Sequence, residues 1–201
     1  MAVRALNSIF QQWRISTPTL WNTTGDPCTG SAIDSTKVDS SNINPAIKCD
    51  CSFDNGTTCH LRELSFGGNA LSGSVPKELG NLQNLRSLLI LTIGSPYLVY
   101  NPQLKERIKF GDREIIARQP WQLVNLQEFY IDSAGLSGGI PSTFANLKNL
   151  QILRSPDNQF TGKIPDFIGN WTKLTILRIQ GNSFQGPIPS SFSRLTKLTD
   201  L

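Results

Sequence analysis

At 201 residues the chain is long enough for one domain, and its 38% hydrophobic and 17% charged content is ordinary for a folded, water-facing protein. The longest apolar run, around residues 88–93, is far short of the roughly 20 residues that a membrane-spanning helix needs. The net charge of +4 does not mark a nucleic-acid binder: residues 95–120 hold five basic side chains (Lys105, Arg107, Lys109, Arg113, Arg118) against three acidic ones (Glu106, Asp112, Glu114), so half of the excess sits in one solvated segment.

In chain order, residues 2–10 (AVRALNSIF) lead to Trp13, and Leu20-Trp21-Asn22 leads to Gly25-Asp26-Pro27-Cys28. The four cysteines, Cys28, Cys49, Cys51 and Cys59, all fall in the first sixty residues. An even number clustered in a module of extracellular type reads as two disulfides. Cys49 and Cys51 are too close to pair comfortably, so Cys28 pairs with one of them and Cys59 with the other. The rival is a zinc site using these cysteines and His60, although C-x-C with a single histidine matches zinc spacings poorly. Three sequons, Asn22-Thr23-Thr24, Asn55-Gly56-Thr57 and Asn170-Trp171-Thr172, mark candidate N-glycosylation sites and fit a secreted chain.

From Leu61 onward the sequence repeats. Leu126, Leu150, Leu174 and Leu198 lie 24 residues apart, as do Leu61 and Leu85. Each opens a block of the form L-x-x-L-x-L-x-x-N-x-L-x-G-x-I-P. The block from Leu174 fills it with Leu177, Ile179, Asn182, Phe184, Gly186, Ile188 and Pro189; the block from Leu61 uses Leu64, Phe66, Asn69, Leu71, Gly73, Val75 and Pro76. A repeat of this size cannot bury its apolar side chains alone, so they stack on the same slots of the next turn and form a solenoid. The L-x-L portion is strand alternation, and the Asn slot offers a buried amide to the backbone of adjacent turns. Ala134 breaks that Asn ladder, and Ser155 takes an inward slot that is elsewhere apolar. After the proline come further core pairs: Leu79 and Leu82, Phe144 and Leu147, Ile168 and Trp171, Phe192 and Leu195.

The outward residues of each strand line the concave face. One column runs Ser65, Tyr130, Arg154 and Arg178; its neighbours hold Glu63, Glu128, Ile152 and Ile176, then Gly67, Asp132, Pro156 and Gln180. Strands lie about 4.8 Å apart, so these side chains are near neighbours. Tyr and Arg are enriched at binding hot spots, which makes Tyr130, Arg154 and Arg178 the candidate ligand contacts, with Glu128, Asp132 and Asp157 beside them.

The period breaks after Ile93. The next good start, Leu126, lies 41 residues beyond Leu85 in place of 24. The intervening segment replaces repeat residues instead of interrupting a complete turn, which favours a retained intron or gene-model error over an island loop. It is expected to weaken coupling between the repeats on its two sides. Both ends read as truncated: the cap follows Met1 with no apolar signal region, and Leu201 sits in a slot of a new strand. Residues 135–139 match the G-x-S-x-G nucleophile elbow, but the only histidine, His60, lies upstream, and the five residues fall in a repeat's L-x-G segment. No H-R-D or D-F-G kinase triplet occurs.

The L-x-G-x-I-P signature resembles the plant-specific leucine-rich repeat of receptor-like-kinase ectodomains and secreted inhibitors. The W-N-x-x-x-D-P-C stretch is similar to the N-terminal cap of plant repeat receptors. The run Lys48-Cys49-Asp50-Cys51 to Cys59-His60 resembles receptor-like kinases that join such repeats to a malectin-like domain. The resemblance implies an α/β fold: a right-handed solenoid with a short helical, disulfide-bonded N-terminal cap, and pairings Cys28–Cys49 and Cys51–Cys59. The cap motifs, the period and its break together divide the chain into a cap over residues 1–60, repeats over 61–93 and 123–201, and a non-repeat insert over 94–122. The resemblance also implies extracellular recognition of a protein, peptide or glycan ligand and a co-receptor, without a cofactor, metal or enzymatic activity. The alternative, a secreted inhibitor of cell-wall-degrading enzymes, expects a C-terminal cap with its own cysteines, and none follows Cys59.

Overall fold

The computed structural model describes residues 2–17, 22–29, 45–67, 77–90, 123–133 and 137–201. Leu20 and Trp21, the Asn69-to-Pro76 half of the first block, Ala134 and the whole of the 94–122 insert therefore lie outside the described residues.

Helix α1 (Ala2–Trp13) opens the chain and buries Ala5, Leu6, Ile9, Phe10 and Trp13, an i, i+3, i+4 stripe that makes one face apolar. That face lies over the first turn of the solenoid. Trp13 meets Phe66 edge-on at 4.9 Å and Phe10 meets it at 6.1 Å between ring centroids. Two cap strands follow, β1 (Ala46–Phe53) and β2 (Thr58–Ser65), paired antiparallel through the Asp54–Gly56 turn. β2 runs through residue 60, so cap and first repeat share one strand.

From β2 the main sheet continues in parallel: β3 (Ser87–Leu89), β4 (Glu128–Tyr130), then β6 (Ile152–Arg154) and β8 (Ile176–Arg178). Each of these later strands is three residues long with only its middle residue buried, as the L-x-L alternation predicts. A second narrow sheet joins β5 (Ser137–Gly138), β7 (Gln159–Lys163) and β9 (Ser183–Gln185), built from the L-x-G segments. After Pro141, Pro165 and Pro189 the chain makes single 3-10 turns, Ser142–Asn146, Asp166–Asn170 and Ser190–Arg194. The three prolines hold φ near −60° to −70° and extended ψ, so each sets the entry to its turn.

The repeat slots form one continuous core. Leu61, Leu64, Phe66, Leu85, Leu88, Leu126, Phe129, Leu150, Leu153, Leu174 and Leu177 are all buried, each such side chain contributing about 1.5–3 kcal/mol relative to exposure. Trp171 reaches across turns, its indole N–H donating to the Phe144 carbonyl at 3.2 Å. The Asn ladder takes the place of side-chain packing at the strand ends. The Asn158 amide donates to the carbonyls of Ile131 (2.7 Å) and Pro156 (3.0 Å) and to Ser155 Oγ (3.2 Å). Asn182 donates to the Ser155 and Ile179 carbonyls, both at 2.8 Å, and accepts from the Phe160 N–H at 3.0 Å. Ser155 is buried at its inward slot because its hydroxyl meets Asn158 there.

The expected weak seam at the insert is corrected. β3 and β4 pair directly, with Ser87 opposite Glu128, Leu88 opposite Phe129 and Leu89 opposite Tyr130. The Ile90 N–H donates to the Tyr130 carbonyl at 2.8 Å and the Gln127 N–H to the Arg86 carbonyl at 2.8 Å. The strands on the two sides of the insert pair as those 24 residues apart do, since stacking needs only that their inward slots meet in register.

The cysteines form Cys28–Cys49 and Cys51–Cys59, which removes all four as zinc ligands. Cys28–Cys49 ties the Pro27–Thr29 turn to β1, and Cys51–Cys59 closes the β1–β2 hairpin. With its ends 21 positions apart in sequence, the first constrains the unfolded chain by about 3 kcal/mol on loop-closure entropy. Replacing Cys28 and Cys49 together by serine should lower the unfolding free energy by about that much, read from urea denaturation, with a larger m-value because the unfolded chain is no longer cross-linked there; a loss under about 1 kcal/mol would contradict a structural role for the bond.

Candidate functional site

The concave face is set by the parallel register. Leu89, Tyr130, Arg154 and Arg178 stand opposite one another on successive strands, and Ser87, Glu128, Ile152 and Ile176 form the adjoining row. Inward Leu88, Phe129, Leu153 and Leu177 are buried, so their flanking neighbours must face outward. Ser65 departs from the expected column. It is only 4% exposed, and its hydroxyl accepts the Gly67 N–H at 3.2 Å, so the exposed column starts at Leu89. Sequence reading missed Ser87 and Leu89 because their block has neither Asn nor I-P; the Leu85, Leu88, Ile90 spacing was the available signal.

The structure brings Tyr130, Arg154, Asp132 and Glu128 together. The Arg154 guanidinium carbon lies 5.8 Å from the Tyr130 ring centroid, while its Nη2 donates to Asp132 Oδ2 at 2.6 Å. The Tyr130 hydroxyl donates to the Glu128 carboxylate at 3.3 Å. Arg178 uses a carboxylate on its other side: its Nε and Nη2 donate to Asp200 Oδ2 at 3.1 and 2.6 Å. Asp200 was missed, although the 24-residue period puts it in the Ile176 column. Asp157 is exposed at the edge of this face in a left-handed conformation, φ 53°, its N–H donating to the Gln180 carbonyl. It lies against Gly181, whose own φ of 69° and lack of side chain leave it room.

Both arginines are therefore paired with carboxylates from adjacent turns of this chain. The adjoining row adds half-buried Ile152 and Ile176, and Tyr130 supplies a ring face. The surface is amphipathic and preorganised, suited to an extended chain lying across the strands.

The two clamps differ electrostatically. Burial lifts the Asp132 carboxyl above the usual aspartate range, overriding Arg154 and Arg178, with Asp157 adding to the rise. Among the described residues Asp132 Oδ1 and Arg154 Nε are buried with no hydrogen-bond partner, in keeping with that desolvation. The Asp200 carboxyl is instead held below the usual range by its hydrogen bond from Arg178. On acidification Asp132 should take up its proton first and Asp200 last. The signs are opposite for stability. Ionised Asp132 opposes folding, and that penalty is relieved as pH falls through its raised pKa; the Asp200 contribution is present above the unfolded aspartate range and lost as pH falls through its lowered pKa. Carboxyl-carbon NMR titration reads the order directly, and Asp200 protonating before Asp132 would contradict it.

A second polar groove of about 370 Å³ lies where the cap joins the sheet, with Lys48, Asp50, Arg62, Glu63, Arg86 and Glu128 among its lining. Arg62 lies 3.6 Å from Asp50 and stacks over Phe53 at 5.1 Å. Only Glu63 and Glu128 were legible beforehand, because the antiparallel β1 that supplies Lys48 and Asp50 has no repeat signature. Among the described residues no group of three or more His, Cys, Asp or Glu is arranged to hold a metal ion, and no helix is long and apolar enough to cross a membrane.

Residues 60–82, 125–147 and 173–195 match the Leucine Rich Repeat family model. Superposition on solved structures agrees. The LRR ectodomain of the receptor kinase SOBIR1 from Arabidopsis thaliana aligns with TM-score 0.65 over 99% of this chain and 90% of that one, at 19% identity. The fold is the leucine-rich-repeat solenoid. The BIR2 ectodomain, also from Arabidopsis thaliana, superposes on the solenoid with TM-score 0.65 at 19% identity, covering 96% of this chain and 86% of that one. In sequence, the solenoid is 46% identical over 82 residues to a protein named "probable LRR receptor-like serine/threonine-protein kinase" from Arabidopsis thaliana, which is 40% of this chain and 8% of that protein. A second protein of that name and organism is 46% identical over 83 residues, 41% of this chain and 8% of its own length. The chain thus spans about a twelfth of the curated relatives it matches.

Proposed function

We propose that this chain is a recognition module of an extracellular plant receptor, binding a peptide, protein or glycan ligand and a co-receptor on its concave face. The observation that carries the reading is the preorganised column of Tyr130, Arg154 and Arg178 on strands in unbroken register, with each arginine fixed by a carboxylate of this chain. Similarity to LRR receptor-like kinases supports the receptor setting, and the chain itself carries no kinase triplet. The C-x-C hairpin supports a finer reading, a parent receptor that joins these repeats to a malectin-like domain and a kinase on the other side of a plasma membrane. Asp157 and the Glu128–Asp132 pair complete the contact surface in this reading.

The test is a binding screen of the secreted chain against a library of extracellular plant peptides and receptor ectodomains by biolayer interferometry. Any binder is then retested against a Tyr130→Ala/Arg154→Ala/Arg178→Ala variant. A hot spot lost at this column weakens binding by about 2 kcal/mol or more, roughly thirtyfold. Circular dichroism should be unchanged, because these side chains point away from the core. A variant that binds like the parent would place recognition elsewhere.

A further inference from the structure

The three sequons are equal in sequence and unequal in structure. We propose that Asn55 and Asn170 carry N-linked oligosaccharide, and that Asn22 is instead a structural amide that the folded chain keeps unmodified. The proposal rests on the extracellular reading only for the chain's passage through a secretory lumen.

Attachment joins the asparagine Nδ2 to the anomeric carbon of an oligosaccharide carried on a lipid diphosphate. The carbon–oxygen bond to the diphosphate breaks, Nδ2 gives up one of its two protons, and the lipid diphosphate leaves; no electrons are transferred. Each acceptor therefore needs an Nδ2 that faces open space, and its fold must tolerate a bulky polar substituent there.

Asn55 meets both conditions. It is exposed in the Asp54–Gly56 turn at the tip of the β1–β2 hairpin, with φ 56°. Among the described residues its side chain makes no hydrogen bond, and the turn is held without it, by Thr57 Oγ1 donating to the Asp54 carbonyl at 2.7 Å and Thr58 Oγ1 to Asp54 Oδ2 at 2.6 Å. Asn170 is exposed at the end of the Asp166–Asn170 turn. Its Oδ1 accepts from Arg194 Nη2 at 3.0 Å, while Arg194 Nε donates to the Gly169 carbonyl at 3.2 Å. Arg194 thus fixes the amide by its oxygen, a contact that glycosylation preserves, and among the described residues Nδ2 makes no hydrogen bond.

Asn22 is the reverse case. It is half-buried, and its Oδ1 accepts from the Gly25 N–H at 2.8 Å and from the Thr24 N–H and hydroxyl, both at 3.3 Å. Its Nδ2 donates to Thr29 Oγ1 at 3.1 Å. The amide lies so close to Gly25 that a Cβ there would come within 2.8 Å of Nδ2. One side chain therefore closes the loop that carries Cys28, and Asn7 ties the same loop to α1 through the Thr23 carbonyl at 2.8 Å. A sugar on Nδ2 would have to occupy the space where the loop folds back. Asn55 and Asn170 both lie off the concave columns, so their glycans leave Tyr130, Arg154 and Arg178 open to a partner.

The experiment expresses the full chain behind a foreign signal peptide in a eukaryotic secretory host. The monomeric secreted fraction is treated with peptide N-glycosidase in heavy-oxygen water, which converts each glycan-bearing Asn to labelled Asp, and peptides are read by mass spectrometry. Label at Asn55 and Asn170 with none at Asn22 is expected. Label at Asn22 in that folded fraction, or none at Asn55 or Asn170, overturns the proposal. Thr24→Ala removes the Asn22 sequon while keeping the amide, and should secrete at least as well as the parent with both other sites labelled. Asn22→Gln should cut secretion severalfold. Equal secretion of Asn22→Gln and the parent would show that the amide has no structural role. None of these readouts depends on finding a ligand, so failure of the receptor reading would leave them unaffected.

Discussion

Replacing Trp13 by alanine should destabilise the chain by about 3–5 kcal/mol, a large share of the roughly 5–15 kcal/mol that holds a typical domain folded. Trp13 is the last buried residue of α1 and is 1% exposed. Its ring meets Phe66 edge-on at 4.9 Å, and Phe66 is itself fully buried at the end of the first repeat's strand segment. Truncation would remove an aromatic pair and leave a cavity between the helix and the first turn, where α1 also contacts the Lys77–Asn81 turn. The helix covers the apolar edge of the first turn, so the damage falls on the unit that all later turns stack upon. Urea denaturation followed by circular dichroism measures the effect, with exposed Arg4→Ala as the control. A Trp13→Ala loss below about 1 kcal/mol would mean that α1 does not seal the core.

The opposite end should make the 1–201 polypeptide self-associate. Leu201 and Ile188 are 66% and 59% exposed, and Ile179, Phe184, Phe192 and Leu198 are only partly covered. One turn earlier the slots equivalent to Phe184, Phe192 and Leu198 are closed: Phe160 is 2%, Ile168 0% and Leu174 0% exposed. Ile179, Phe184, Ile188, Phe192 and Leu201 line a hollow of about 530 Å³ together with buried Leu177. Each large apolar side chain fully covered there is worth about 1.5–3 kcal/mol, enough in combination to drive a second copy onto this edge at modest concentration. Sedimentation velocity should show a mass that grows with concentration, and Ile188→Asn/Leu201→Asn should return it to the monomer. A parent that stays monomeric across the range would show that the edge is adequately solvated as it is.

The repeat itself was legible because its chemistry is periodic. Leucines at fixed spacing fix both which side chains stack inward and which face out, so the register of Tyr130, Arg154 and Arg178 could be read before any coordinates. The Asn slots were legible for the same reason, and Asn158 and Asn182 bond as their position requires. Four clustered cysteines determined that the cap is cross-linked, and with the resemblance the pairing as well.

What periodicity does not carry, only the tertiary structure decided. A 24-residue count reads the interval from Leu85 to Leu126 as a break, yet β3 and β4 meet in register, because strand pairing depends on where slots arrive in space and not on how many residues intervene. The antiparallel β1 joins the sheet through long-range pairing without a repeat of its own, so the cap groove was invisible, and Ser65 looked exposed when it is buried. The ion pairs were hidden for a related reason. The pattern places an outward arginine on its strand but leaves its rotamer free, and which carboxylate it meets, Asp132 behind for Arg154 or Asp200 ahead for Arg178, is chosen by side-chain packing between adjacent turns.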